Sequence, residues 1–272
     1  MLDEKQIRSM VILIREMNVK NRQAGLQQRL EGDVVAAAGE RYRLEEIGRG
    51  EGLLWSIDFM PGGALLVTQR DGVLWHFDGE KRTAVEGTPE VWQHGQGGLL
   101  EVALHPDYAD NGWVYLSYSE NTGATENGKE AGMTTVVRGR IVDGRWTDQE
   151  RLFRADGEHH TSSGAHYGSR FVFDDGYLFF GIGDRGRQDQ AQDLDRPNGK
   201  VFRIHDDGRI PSDNPFVDVE GALPAIWSNG HRNPQGMDLE PATGLLWESE
   251  HGPRGGDEIN VVEKGLNYGW PV

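Results

Sequence analysis

Arg170-Phe171-Val172-Phe173-Asp174-Asp175-Gly176-Tyr177-Leu178-Phe179-Phe180-Gly181-Ile182 is an apolar run, an acidic glycine turn and a second apolar run. Branched, aromatic and aliphatic residues on either side of such a turn read as strand, turn, strand. The phrase returns three times. Trp55 to Met60 reaches Pro61-Gly62 before Ala64 to Thr68, and Leu100 to Leu104 reaches His105-Pro106-Asp107 before Trp113 to Tyr118. Gly236 to Leu239 reaches Glu240-Pro241 before Gly244 to Trp247. With Phe59, Leu104, Phe173 and Leu239 taken as equivalent, the first interval is the length of one propeller blade and the next two are longer. A four-stranded blade takes roughly 40 to 50 residues, and the longer intervals leave room for insertions at 121–132 and 184–199. The reading is an all-β propeller over residues 41–272. A sandwich would not need one phrase at blade-like intervals.

Residues 1–40 differ from the rest. Ile7, Met10, Val11, Ile14 and Met17 follow helical spacing, and Asp3 with Gln6 forms a capping arrangement, so the expectation there is a helical extension. Its apolar run, Met10 to Ile14, is much shorter than the roughly 20 residues of a membrane helix, and no secretory signal is visible. The 272 residues carry 28 Lys and Arg against 44 Asp and Glu, a net charge of −16 with no basic stripe, which argues against nucleic acid and anionic membranes as partners. There is no cysteine, so a metal must be held by oxygen or imidazole, and oxygen favours calcium or magnesium.

Turn formers, charges and amides concentrate in four segments, the composition of functional loops on a rigid scaffold. Gly230-His231-Arg232-Asn233-Pro234-Gln235-Gly236 places a fork of guanidinium donors beside an amide; the alternative is a pair that only fixes a turn. Gly252-Pro253-Arg254-Gly255-Gly256-Asp257-Glu258, with Tyr268 further on, can turn carbonyl oxygens to one point and add a carboxylate, which suits calcium; the alternative is a solvated acidic turn. Gly164-Ala165-His166-Tyr167-Gly168-Ser169-Arg170 puts a histidine on a glycine-rich turn, where it can take a proton from a hydroxyl, although most of the 9 histidines have no such role. Trp92-Gln93-His94-Gly95-Gln96-Gly97-Gly98 offers Gln96 to a polar ring edge and lacks the spacing of a phosphate loop.

Together with Gly199-Lys200-Val201-Phe202-Arg203 and Ile210 to Phe216, these motifs resemble, in order and register from about Tyr42 to Val272, the soluble quinoprotein sugar dehydrogenases of the glucose/sorbosone dehydrogenase family, and most of all the bacterial aldose sugar dehydrogenases. The resemblance implies a six-bladed propeller holding pyrroloquinoline quinone (PQQ) and calcium near its axis. His166 then matches the general base that takes the anomeric proton as hydride passes to the quinone. Arg232 matches the residue that binds the quinone and stabilises charge on its reacting oxygen, and Asn233 and Gln96 match further polar contacts. Gly252 and Pro253 match the carbonyls that hold the cofactor's calcium, while Glu258 and Tyr268, the latter through its main-chain oxygen, match ligands of a structural calcium. Ala165 stands where the family often has Asp or Asn, so the base is expected to be held by backbone or water.

The family continues through roughly two more blades, so the expectation is a chain truncated to about four, with open strand edges that favour homo-oligomers. The implied activity is oxidation of aldose sugars to lactones with electrons passed to an external acceptor, and the implied location is periplasmic or secreted. Two rival classes are a calcium-dependent propeller lactonase or hydrolase, which would need carboxylate or amide ligands from several blades, and a non-catalytic propeller fragment that only binds partners.

Overall fold

The computed structural model describes residues 46–271 apart from Glu80, together with the backbone of 34–37 and 40–43. The chain divides into two compact units, Met1–Arg49 and Gly50–Val272. In the first, β1 (Val34–Ala37) and β2 (Glu40–Arg43) pair antiparallel. The helix expected in the extension of residues 1–40, from the spacing of Ile7 to Met17, lies outside the described residues.

The second unit is four antiparallel sheets arranged as propeller blades. Blade 1 pairs β3 (Leu54–Phe59), β4 (Leu65–Gln69), β5 (Leu74–Asp78) and β6 (Lys81–Ala84) in chain order. Blade 2 runs from β7 (Leu99–Leu104) through the single helical turn α1 (Tyr108–Asn111) to β8 (Val114–Glu120). The insertion at 121–132 is the small hairpin of β9 (Thr125–Glu126) and β10 (Lys129–Glu130), after which β11 (Met133–Val142) and β12 (Arg145–Arg154) complete the blade. Blade 3 is β13 (Phe171–Asp174), β14 (Tyr177–Ile182), β15 (Lys200–His205) and β16 (Ile226–Asn229). Blade 4 has three strands, β17 (Pro234–Leu239), β18 (Leu246–Glu250) and β19 (Glu258–Val261).

The four equivalent residues Phe59, Leu104, Phe173 and Leu239 stand at or next to the end of the first strand of their blades. In blade 3, Asp174 pairs with Tyr177, leaving Asp175 and Gly176 as a two-residue turn with φ of 44° and 78°. Positive φ at both central positions is the turn whose twist matches that of the flanking strands, and Asp-Gly adopts it at little cost.

The blades hold together through apolar layers between neighbours. Leu66 and Leu74 of blade 1 pack with Leu99, Val114 and Leu116 of blade 2, and Val172, Phe179 and Val201 of blade 3 pack with Met237 and Leu246 of blade 4. Between blades 2 and 3, Tyr115, Met133 and Val136 meet Phe180, Phe202 and Ile204, with Phe180 and Phe202 stacked 5.1 Å apart. Fully burying one such side chain is worth about 1.5–3 kcal/mol, so these layers account for the association of the blades.

The first strands of successive blades lie against one another. A polar chain crosses them. Ser56 Oγ donates to Glu101 Oε1 at 2.9 Å, Arg170 Nη1 donates to the same oxygen at 2.7 Å, and Arg170 Nε donates to the Gln235 carbonyl at 3.2 Å. These four residues belong to or adjoin β3, β7, β13 and β17, so one network of buried charge ties all four blades near the axis. Among the described residues no helix is long and apolar enough to cross a membrane.

Candidate active site

In antiparallel blades whose first strands run alike, the loops before β7, β13 and β17 and the turns after β14 and β18 open on one end. Those loops carry four of the polar segments singled out from sequence. Their convergence is enforced at Gly183. A Cβ built there would overlap the His166 carbonyl oxygen and stand 3.0 Å from that of Arg232, so the two backbones pass on either side of a residue that must lack a side chain.

His166 has φ of +54°, an uncommon conformation for a residue with a Cβ, and three groups hold it there. Its N–H donates to Gln96 Oε1 at 2.8 Å, while the Gln96 N–H donates to the Gly164 carbonyl at 2.7 Å. Its Nδ1 lies 2.6 Å from Asp184 Oδ1. Beneath the loop, the fully buried Arg185 donates to the carbonyls of Ala165 (2.9 Å), Ser163 (2.5 Å) and Gly132 (3.1 Å), and its guanidinium lies 3.5 Å from the centre of the Tyr167 ring. Burial pushes the Arg185 guanidinium down to about 10, a range in which it stays charged at neutral pH.

Asp184 is the hub. It is fully buried, and although burial pulls its carboxyl upward, the hydrogen bonds from His166, the Gly186 N–H and the Trp270 indole hold it below the usual carboxylate range. An ionised carboxylate only accepts, so Nδ1 of His166 carries the proton and, in the neutral ring, Nε2 is left with a lone pair facing away from Asp184. Asp184 Oδ2 takes the Trp270 Nε1 proton at 2.7 Å, and the Asp184 N–H donates to the Arg232 carbonyl at 2.8 Å.

Arg232 and Asn233 are fixed from below by Glu250, whose Oε2 accepts both backbone N–H groups, at 2.5 and 3.0 Å. Asn233 Oδ1 accepts from the Gly168 N–H at 3.2 Å, joining this segment to the histidine loop. Arg232 Nη1 donates to the carbonyls of His251 (2.7 Å) and Gly252 (3.3 Å), and its Nε is buried with no partner among the described residues. His231 is fully buried against Glu248 and Glu250, with Nδ1 3.5 and 3.7 Å from them. Burial opposes charge on that imidazole, but the two carboxylates outweigh it and raise its pKa.

Gln96, His166, Arg232, Asn233 and Gly252 are therefore linked through direct hydrogen bonds or through Asp184 and Glu250. The Pro253 carbonyl accepts from the Gly256 N–H at 3.0 Å, closing a turn, and the space at Gly252 is so tight that a Cβ there would overlap the Gly256 carbonyl. Glu258 and Tyr268 are held by different partners. Glu258 is exposed and accepts from Asn260 Nδ2 at 3.2 Å, whereas the Tyr268 hydroxyl donates to the Val261 carbonyl at 2.5 Å and accepts from the Glu263 N–H at 2.8 Å. That hydroxyl is a tie for the loop.

Asp184 is not among the site residues expected from sequence. With Ala165 before the histidine, the expectation was a base held by backbone or water. Instead a side chain from the far end of the β13–β14 hairpin supplies the orienting carboxylate. Its signal was available: Gly183-Asp184-Arg185-Gly186 directly follows an apolar strand, with the same glycine and charge crowding as the other loops.

The profile of the Glucose / Sorbosone dehydrogenase family matches residues 53–272. The chain belongs to this family. It is similar to aldose sugar dehydrogenase YliI of Escherichia coli K12, 47% identical over 224 residues that make up 80% of this chain and 58% of that protein. It is also similar to quinoprotein glucose dehydrogenase B of Acinetobacter calcoaceticus, 34% identical over 84% of this chain and 51% of that one. Among solved structures, the PQQ-bound form of an aldose sugar dehydrogenase from Streptomyces coelicolor superposes with a TM-score of 0.70 at 30% identity, covering 84% of this chain and 65% of that one. The chain thus spans between half and two thirds of the length of each of these relatives.

Proposed function

We propose that this chain carries the axial site of a PQQ- and calcium-dependent dehydrogenase that oxidises aldose sugars at the anomeric carbon to lactones and passes the electrons to an external acceptor. The observation that carries the reading is the pairing of a carboxylate-oriented imidazole, His166 on Asp184, with a guanidinium whose buried Nε has no partner among the described residues. A buried charged donor left unpaired costs more than the same donor bonded to an anionic oxygen, so Arg232 fits an anionic, oxygen-rich guest. The carbonyl of Gly252, next to that guanidinium, is the kind of hard oxygen that calcium takes.

When bound, PQQ with its calcium supplies the two-electron acceptor. Arg232 would hold it through charge-assisted hydrogen bonds, with Asn233 and Gln96 at its polar edges and Gly252 and Pro253 at the metal. His166 takes the proton of the anomeric hydroxyl on Nε2, because Asp184 keeps Nδ1 protonated and stabilises the imidazolium that results. Glu250 keeps the Arg232-Asn233 backbone in place throughout. A structural calcium at Glu258 and the Tyr268 main-chain oxygen, and a periplasmic or secreted location, complete the reading on family resemblance.

The test is to titrate the metal-free protein with PQQ and calcium, following quinone absorbance, and then to add aldoses with an artificial dye. Saturable binding and dye reduction that falls by about 10²–10⁴-fold in His166→Ala are expected. Lactone hydrolysis without quinone would replace the reading with the hydrolase class.

A further inference from the structure

We infer that Trp270 is a positioning residue for the His166 base: its indole N–H fixes the plane of the Asp184 carboxylate, and through it the direction in which the imidazole points. The inference rests on the role proposed above for His166.

Asp184 Oδ1 is shared by His166 Nδ1 and the Gly186 N–H, at 2.6 and 2.7 Å. Two donors on one oxygen do not fix a carboxylate, whose terminal torsion is broad and two-fold. The group can pivot about Oδ1, and the imidazole then swings with it. What stops the pivot is the second oxygen, and among the described residues Oδ2 has one side-chain donor, Trp270 Nε1 at 2.7 Å. An indole has a single donor, and Trp270 spends it on a buried anion although the residue is itself partly exposed.

The indole can act as a fixed strut because its main chain is tied on both sides. The Trp270 N–H donates to the Gly230 carbonyl at 2.9 Å, and the Trp270 carbonyl accepts from Gln192 Nε2 at 2.6 Å. Gln192 is in turn paired with Asn267, whose Oδ1 accepts the Gly269 N–H at 2.9 Å. The ring face also stands 5.3 Å from the Arg232 guanidinium, within cation–π range. One side chain therefore touches both the base's carboxylate and the flank of the anion-binding arginine, and it comes from the connection after β19, far in sequence from either.

Trp270→Phe keeps an aromatic face and removes the N–H. In the metal-free, quinone-free 272-residue chain, the Nδ1 proton of His166 is observable by nuclear magnetic resonance in protein labelled with ¹⁵N-histidine. Its exchange with water should be at least about tenfold faster in Trp270→Phe, because the bond to Asp184 is no longer held closed. An unchanged resonance and exchange rate would overturn the inference, whatever the turnover. If Trp270→Phe does not unfold cooperatively in urea, the benzothiophene analogue of tryptophan at position 270, with the same outline and no N–H, gives the same reading.

In the loaded protein the same change should lower kcat about tenfold with the sugar KM within about twofold, part of the 10²–10⁴-fold that a placed base contributes. A loosened Nδ1 proton with full turnover in both Trp270→Phe and His166→Ala would uphold the strut and refute His166 as the base. Full loss in His166→Ala with an unmoved proton in Trp270→Phe would do the reverse.

Discussion

Glu101 and Arg170 meet at 2.7 Å where the first strands of blades 2 and 3 touch, and each also reaches a further blade, Glu101 through Ser56 and Arg170 through Gln235. A buried ion pair seldom adds net stability over apolar packing, but breaking one leaves a charge stranded. This one sits directly under the candidate active site, since Arg170 closes the loop that bears His166.

Arg170→Met should therefore destabilise the chain by about 3–5 kcal/mol, because the Glu101 carboxylate stays buried without its partner. Arg170→Met with Glu101→Leu should recover most of that loss. Urea unfolding followed by tryptophan fluorescence measures both; equal stabilities for the single and double variants would show that the pair is not coupled.

Asp184→Asn is expected to lower turnover of the loaded protein by at least about 10²-fold while leaving quinone affinity within a few-fold, since the imidazole loses the acceptor that sets its tautomer. The same variant has a consequence for stability. The folded pKa of Asp184 lies below its unfolded value, so the aspartate contributes stability above about pH 4 that disappears as pH falls through the folded pKa. Acid unfolding of Asp184→Asn should lack that component.

How much of this was legible depends on the range of the interactions. The strand-turn-strand phrase specifies its own local pairing, so Phe59, Leu104, Phe173 and Leu239 could be aligned from sequence and all stand at or beside the ends of first strands. Arg232 and Asn233 were visible because a charge and an amide between Gly and Pro have no use inside a strand. Asp184 was not, because a whole hairpin separates it from its partner and only the antiparallel return of β14 brings it under the histidine loop. Glu101 and Arg170, which belong to different blades, read separately as an acid within an apolar strand and a base beside one.

Glu126, in the hairpin of β9 and β10, ties that insertion to the strap before the histidine loop. Burial alone would raise its carboxyl, but the Arg187 guanidinium and the N–H and hydroxyl of Ser162 outweigh it and bring it down to about 2. Its stabilising contribution is thus complete above the ordinary glutamate pKa of about 4.3 and is lost as pH falls through about 2. Glu126→Gln should be less stable than the parent at about pH 7 and nearly equal to it at about pH 1, below the folded pKa. Thermal unfolding at the two values checks this, and a constant difference between them would assign the effect to packing.

Gly183→Ala addresses the convergence itself. The added methyl would overlap the His166 carbonyl oxygen and stand 3.0 Å from that of Arg232, and both neighbours are backbone, which cannot move aside as a flexible side chain can. Relief requires the two loops to part, at a cost of about 1–3 kcal/mol, typical of overpacking. Because imidazole and guanidinium are carried on those loops, turnover should fall by about tenfold or more, as small misplacements of reacting groups do, while the protein still unfolds cooperatively. Full activity in a stably folded Gly183→Ala would mean that His166 and Arg232 do not need their observed spacing, and the two could not then be acting on the same guest.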